Sequence, residues 1–297
     1  MLCNECPRHC NIDRSITTGF CGMSDKIMVA RAALHMWEEP CISGEEGSGA
    51  VFFSGCNLRC VFCQNACIAR GGTGVEITVS RLSEIFLELQ GKGANNINLV
   101  TPSHYVKEIV QALTMAKDNG LTIPVVYNTS SYELVDTLKC LDGLVDIYLP
   151  DFKYVDSSLA MRYSHAKDYY EVACAALDEM HRQIGTCSFD ERGMMKRGII
   201  VRHLILPGHT ADSKRVIKYI KDTYGDDVFI SIMNQYTPLP HVSDYPEINR
   251  KVTQREYDNV VDYAIDIGVT NGFIQEGGVA EESFIPEFNG EGVNADK

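Results

Sequence analysis

The sequence predicts an α/β fold, a parallel sheet wound by helices with a cysteine-rich annex in front of it. Two observations predict it. Six apolar, β-branched runs alternate with segments of helical period, the pattern of buried parallel strands joined by right-handed crossovers. The alternation begins only near residue 50, after a stretch holding four cysteines, the single tryptophan Trp37 and the Ser/Gly/Glu loop 43–49. The chain has 297 residues, 45% of them hydrophobic, which is ample for a full core. The reading divides it into an annex, 1–48, and an α/β unit with a C-terminal helix and tail, 49–297.

Strands are expected at 51–54, 96–100, 123–127, 145–149, 199–206 and 228–233. Leu82, Ile85, Phe86 and Leu89 keep helical spacing ahead of Gly91 and Gly93. Ile109, Val110, Leu113 and Ala116 keep it ahead of Gly120, and Val216, Ile217 and Ile220 ahead of Gly225. Thr253-Gln254-Arg255-Glu256 is a capping box, and opens a helix running through Val260, Val261 and Ala264 to Gly268. The tail after Gly277 is acidic, with Phe284 and Phe288 as candidate docking anchors. Ligands of such sheets sit at the carboxyl ends of the strands. That points to Cys56–Cys63, Thr101–His104, Asn128 with Thr129, Asp151 with Lys153, and Asn234–Tyr236, while Arg202 and His203 alternate faces within the fifth strand.

A net charge of −13 argues against nucleic acid and anionic membrane as partners. No stretch approaches the roughly 18 apolar residues of a membrane span, and Met1-Leu2-Cys3-Asn4-Glu5 lacks the basic and apolar parts of a secretory signal. The expectation is a cytoplasmic protein. Seven of the twelve cysteines fall in two tight groups, which in a reducing compartment points to metal. Cys41, Cys67, Cys140, Cys174 and Cys187 are scattered and read as small buried apolar residues.

Cys56, Cys60 and Cys63 stand at CxxxCxxC spacing directly after the first strand. Three thiolates suit a 4Fe-4S cubane and leave one iron without a protein ligand. An open iron can take a substrate, and S-adenosylmethionine is the natural candidate. A zinc site completed by a further ligand is the alternative. Cys3, Cys6, Cys10 and Cys21, at C-x2-C-x3-C-x10-C, are four thiolates that close a site, for zinc or for an auxiliary iron–sulfur cluster.

Eight strings carry a resemblance. They are the N-terminal CxxCPRxC of residues 3–10, GCNLRCVFCQN (55–65), NINLVTPSHY (96–105), PVVYNTS (124–130), DIYLPDFKY (146–154), EMHRQIG (179–185), RHLILPG (202–208) and MNQYTP (233–238). In this order the chain resembles the radical S-adenosylmethionine (SAM) superfamily, in its branch of pyruvate formate-lyase activating enzyme-related proteins. The resemblance implies a partial (β/α)6 barrel, a cluster on Cys56, Cys60 and Cys63, and cluster-bound S-adenosylmethionine. It places Phe62 against the adenine and Asn65 beside a cluster sulfide, with Asn128 and Thr129 near the nucleoside. Lys153 then neutralises the methionine carboxylate, with Asp151 orienting the cofactor. Arg202, rather than His203, is expected to face the barrel interior. His104 reads equally as a catalytic or a core residue.

One departure stands out. The activases end their second strand in Gly-Gly-Glu, which holds the methionine amino group, where this chain has Thr101-Pro102-Ser103. The Thr101 and Ser103 hydroxyls, or backbone carbonyls, are the candidate substitutes. The implied activity is reductive cleavage of S-adenosylmethionine to a 5′-deoxyadenosyl radical for hydrogen abstraction. The implied partners are a glycyl-radical protein as substrate and flavodoxin or ferredoxin as electron donor. Radical modification of another peptide or small molecule, and a non-catalytic zinc scaffold, are the other readings.

Overall fold

The computed structural model describes residues 2–275 and 286–294. Its strands are β1 (Ile27–His35), β2 (Ser48–Phe53), β3 (Val75–Ile77), β4 (Ile97–Val100), β5 (Val125–Thr129), β6 (Ile147–Pro150), β7 (Ser188–Phe189), β8 (Met195–Leu204), β9 (Phe229–Met233) and β10 (Gly272–Ile274). The helices are α1 (Pro40–Ser43), α2 (Ala66–Ala69), α3 (Val79–Gly91), α4 (Val106–Asp118), α5 (Val135–Lys139), α6 (Ser157–Ser164), α7 (Tyr169–Ile184), α8 (Thr210–Tyr224) and α9 (Gln254–Asp266).

The sheet is open and runs β10-β9-β8-β6-β5-β4-β2-β1-β3. Pairing is parallel from β2 through β10. The six expected strands are therefore β2, β4, β5, β6, β8 and β9, in chain order across the sheet. Beyond β2 the sheet turns antiparallel, with β1 on β2 and β3 on β1. The annex range therefore contributes a strand to the sheet. Residues 27–35 fall inside 1–48, yet their backbone pairs with β2 from Val29↔Phe53 to His35↔Ser48. The sheet thus starts well before residue 48.

The parity of each strand sorts its side chains. Val51, Phe53, Leu99, Tyr127, Tyr148, Val201 and Ile232 turn outward and join one core with Leu82, Phe86, Ile109 and Ile217 of the helices. The opposite parity holds two smaller apolar groups, Ala50, Phe52 and Val100 in one, and Val126, Ile147, Leu149 and Ile200 around Ile42 of α1 in the other. Asn98, Asn128, Asp151 and Arg202 share that inner parity, so polar groups reach the interior, the last three near the carboxyl ends of their strands. α9 starts with the expected capping box, Thr253 accepting from Glu256 and Glu256 from Thr253. Phe288 packs edge-on against Phe52, ring centroids 5.4 Å apart. Phe284 lies outside the described residues. Of the scattered cysteines only Cys41 is buried, while Cys67 and Cys140 are exposed, because both sit on outward positions of short helical turns. No helix among the described residues is long and apolar enough to cross a membrane.

Candidate active site

The loop after β2 carries the triad. Gly55 adopts φ +86°, and a Cβ there would lie 2.4 Å from Met23 Cγ and 2.9 Å from the Cys21 carbonyl oxygen, so only glycine fits. Each triad sulfur has a donor aimed at it. The Leu58 N–H reaches Cys56 Sγ at 3.4 Å, Ser164 Oγ reaches Cys60 Sγ at 2.9 Å, and the Asn65 N–H serves Cys63. Burial raises the Cys60 and Cys63 thiols, with the Lys153 cation acting in the opposite sense on both. Donors and a cation around three sulfurs are what thiolate ligands need. The chemistry of the donor set fits a cluster held by three cysteines. Among the described residues, no three His, Cys, Asp or Glu side chains already surround one ion position.

These thiols line a cavity of about 250 Å³. Phe62, Asn65, Asn128, Thr129, Asp151, Lys153 and Arg202 line it too, so all ten residues expected at the radical site meet there. Arg202 is the centre of a buried ion network. Its Nε donates to Asp151 Oδ1 at 2.9 Å, its Nη1 to Glu38 Oε2 at 3.0 Å and its Nη2 to Asn128 Oδ1 at 2.6 Å. Lys153 Nζ donates to the other Asp151 oxygen at 2.7 Å, as expected of residues two apart. Burial works against every charge here. The two cations nonetheless hold Asp151 below its usual range, and Asp151 raises Lys153.

Two expectations change and one open reading closes. Thr129 borders the cavity, but its parity turns the hydroxyl outward to donate to the buried Glu133. Ser103 donates to the same carboxylate, so Thr101 alone of the proposed hydroxyl pair lies at the cavity. It does so at φ +59°, a strained conformation for a β-branched residue. His104 is a core histidine. Its Nε2 meets the Ser54 carbonyl at 2.7 Å and burial lowers its pKa to about 4. His203 faces outward with Nδ1 2.8 Å from the Phe152 carbonyl, and Arg202 takes the interior as expected.

Sequence reasoning missed Glu38, Glu39 and Trp37. They follow β1, whose antiparallel course delivers them beneath the parallel strands. Glu38 receives Arg202 and, at 2.9 Å, Asn98 Nδ2, and Glu38 and Trp37 line the cavity. Glu39 is buried and its pKa raised by that burial, partly offset by Arg202.

A family model described as the radical SAM superfamily matches residues 50–220, more than half of the chain. The chain belongs to the radical SAM superfamily. It is 28% identical over 272 residues to uncharacterized protein MJ0674 of Methanocaldococcus jannaschii, covering 88% of this chain and 74% of that one. SuiB of Streptococcus suis bound to S-adenosylmethionine superposes with TM-score 0.52 at 15% identity, over 75% of this chain and 48% of that chain. HydG, a maturase of the FeFe hydrogenase, gives 0.52 at 14%, over 80% and 52%. The chain spans about half the length of these solved structures, and at such identity the likeness is one of fold. Membership of the radical SAM superfamily implies a 4Fe-4S cluster and S-adenosylmethionine.

Proposed function

We propose that this radical SAM protein cleaves S-adenosylmethionine reductively and takes a hydrogen atom from a partner polypeptide, at a glycine Cα as in the activases it resembles. The observation behind the cleavage is the meeting of all ten expected residues on one cavity. The glycine reading rests on the ordered strings from CxxCPRxC to MNQYTP, which resemble pyruvate formate-lyase activating enzyme-related proteins.

When bound, the cluster supplies one electron to the sulfonium, which splits into methionine and a 5′-deoxyadenosyl radical. Cys56, Cys60 and Cys63 hold the cluster. Lys153 neutralises the methionine carboxylate, while Asp151 fixes both Lys153 and Arg202 in place. Phe62, 6.1 Å from the Tyr236 ring, offers a fixed aromatic face for adenine. Asn65 and Asn128, both on the cavity wall, would lie beside the cluster and the nucleoside respectively. Phe52, Leu58, Val100, Leu204 and Met233 give part of the lining an apolar surface, beside the polar Gln64, Thr101, Ser130 and Gln235. A flavodoxin or ferredoxin in the cytoplasm is the proposed electron source.

The test is anaerobic reconstitution followed by dithionite and S-adenosylmethionine. We expect 5′-deoxyadenosine from the native chain and none from Cys60→Ala. Peptides carrying Cα-deuterated glycine should pass deuterium to the nucleoside. Label arriving only from another substrate would redirect the glycine reading and leave the cleavage intact. Absence of 5′-deoxyadenosine with a full cluster would end both.

A further inference from the structure

Cys3, Cys6, Cys10 and Cys21 take no part in the cavity, yet they repeat the device seen at the triad. The Arg8 N–H serves Cys6, the Met23 N–H serves Cys21, and the Phe20 N–H reaches Cys10 Sγ at 3.3 Å. Two of these run from residue i+2 back to the sulfur of residue i. That is the pattern of Leu58 on Cys56 and Asn65 on Cys63. Burial raises the Cys6 thiol to about 12 and raises Cys21 as well, and the amides aimed at these sulfurs act against that rise. The backbone is bent to allow it, with φ +42° at His9, +51° at Asn11 and +82° at Gly22. The sulfurs of Cys10 and Cys21 both lie within 3.5 Å of the point where a Cβ on Gly19 would stand. Cys6 lies within electrostatic reach of Cys10 and Cys21, and Cys21 within reach of Cys3.

We propose that Cys3, Cys6, Cys10 and Cys21 form a closed four-thiolate centre for one zinc ion, which fixes the loop bearing the radical-site triad. Four thiolates complete a tetrahedral shell and leave no position for a substrate. A divalent ion with four thiolates carries two negative charges. Arg14 stands beside Cys3 and Cys21 to offset part of this charge. Closing the set needs loss of the thiol protons and rotation of the sulfurs onto one point.

The connection to the triad is short. The Cys56 N–H donates to the Cys21 carbonyl at 3.4 Å. Arg8 Nε donates to the Asn57 carbonyl at 2.7 Å, and its Nη2 to the carbonyl of Ser164 at 3.1 Å. Ser164 is the residue whose hydroxyl serves Cys60. A metal that immobilises Cys6 and Cys21 therefore immobilises the backbone on both sides of the triad loop.

Zinc at these four cysteines needs no radical chemistry, so the test removes the triad. The full chain bearing Cys56→Ala, Cys60→Ala and Cys63→Ala, produced with zinc available, should retain about one zinc per chain by elemental analysis. Zinc-edge X-ray absorption of the native chain should show four sulfurs at about 2.3 Å. This needs no variant and decides the question even if cysteine variants fail to fold. Cys6→Ser and Cys21→Ser should lose the metal, and exposed Cys140→Ser should keep it. Removing zinc from the native chain should lower the iron taken up by the triad. Iron and sulfide in the triple variant, a zinc shell containing nitrogen or oxygen, or no zinc at all would overturn the site. Unchanged iron uptake after zinc removal would overturn its role.

Discussion

Arg202 has a side chain only 13% exposed and two carboxylates on it, Glu38 and Asp151. Removing one partner of a buried ion group leaves charge without compensation and costs about 3–5 kcal/mol. Arg202→Met should therefore lower the unfolding free energy by about that much, measured by denaturant midpoint at constant m. Adding Glu38→Gln should recover part of the loss, because the two residues touch. A single-variant loss near zero, or strict additivity, would mean that water screens the pair. Lys153 allows a separate reading. If its ammonium meets the methionine carboxylate, Lys153→Ala removes a charge-assisted hydrogen bond of about 1.5–3 kcal/mol. S-adenosylmethionine affinity should then fall about 10- to 100-fold by equilibrium binding. Equal binding by Lys153→Ala would move the carboxylate to another residue. The residues that sequence reasoning located, from Cys56 to Lys153, follow or end strands, and Arg202 lies two residues before the end of β8. Glu38 offers no such signal, since a carboxylate after β1, an antiparallel strand held between β2 and β3, enters the site only through topology.

Among the elements, the loop from β2 to α2 is the one the fold has least freedom to change. Gly55→Ala would place a methyl group against Met23 and the Cys21 carbonyl in a left-handed conformation. The conformational part alone costs about 1–2 kcal/mol, and the clash pushes the loop away from Cys21. The expected result is a chain that still folds, by circular dichroism, but takes up less iron at Cys56, Cys60 and Cys63. Gly91→Ala, where nothing lies within 4 Å, is the control and should behave as the native chain. Iron uptake by Gly55→Ala equal to the control would show that the loop adapts. The parallel strands were legible because burial on both faces turns them into unbroken apolar runs such as Val51-Phe52-Phe53. β1 was not, because Ile27-Met28-Val29-Ala30-Arg31-Ala32-Ala33 mixes alanines and an arginine without a clear period. α7 carried a usable signal in Tyr169, Ala173, Ala176, Leu177, Met180 and Ile184, which keep helical spacing and are all buried.

At the scale of the whole molecule, buried titratable groups link folding to pH in opposite senses. Burial lowers His35 and His104 to about 4, and lowers His203 as well. Burial raises Glu133 to about 7, against the hydrogen bonds from Ser103, Thr129 and Tyr127. On unfolding between pH 4.5 and 6.5 the histidines take up protons, while Glu133 releases one. Stability rises with pH wherever the unfolded chain binds more protons. The histidines therefore contribute stability that is complete above about 6.5 and lost as pH falls toward 4. Glu133 does the reverse, its protonated form favouring the fold as pH falls from 7 to 4.5. Glu39 and Glu108, raised by burial, act in the same sense as Glu133, and each net proton the unfolded chain takes up costs the metal-free chain about 1.4 kcal/mol per pH unit across this window. Urea unfolding at pH 5, 5.5, 6 and 7 measures the slope. Glu133→Gln removes one of the opposing groups and should steepen it, whatever offset the substitution adds at neutral pH. His104→Gln should flatten it. If all three chains share one slope, these groups titrate alike in the folded and unfolded states, and the acid sensitivity of the fold must come from the ion network around Arg202 instead.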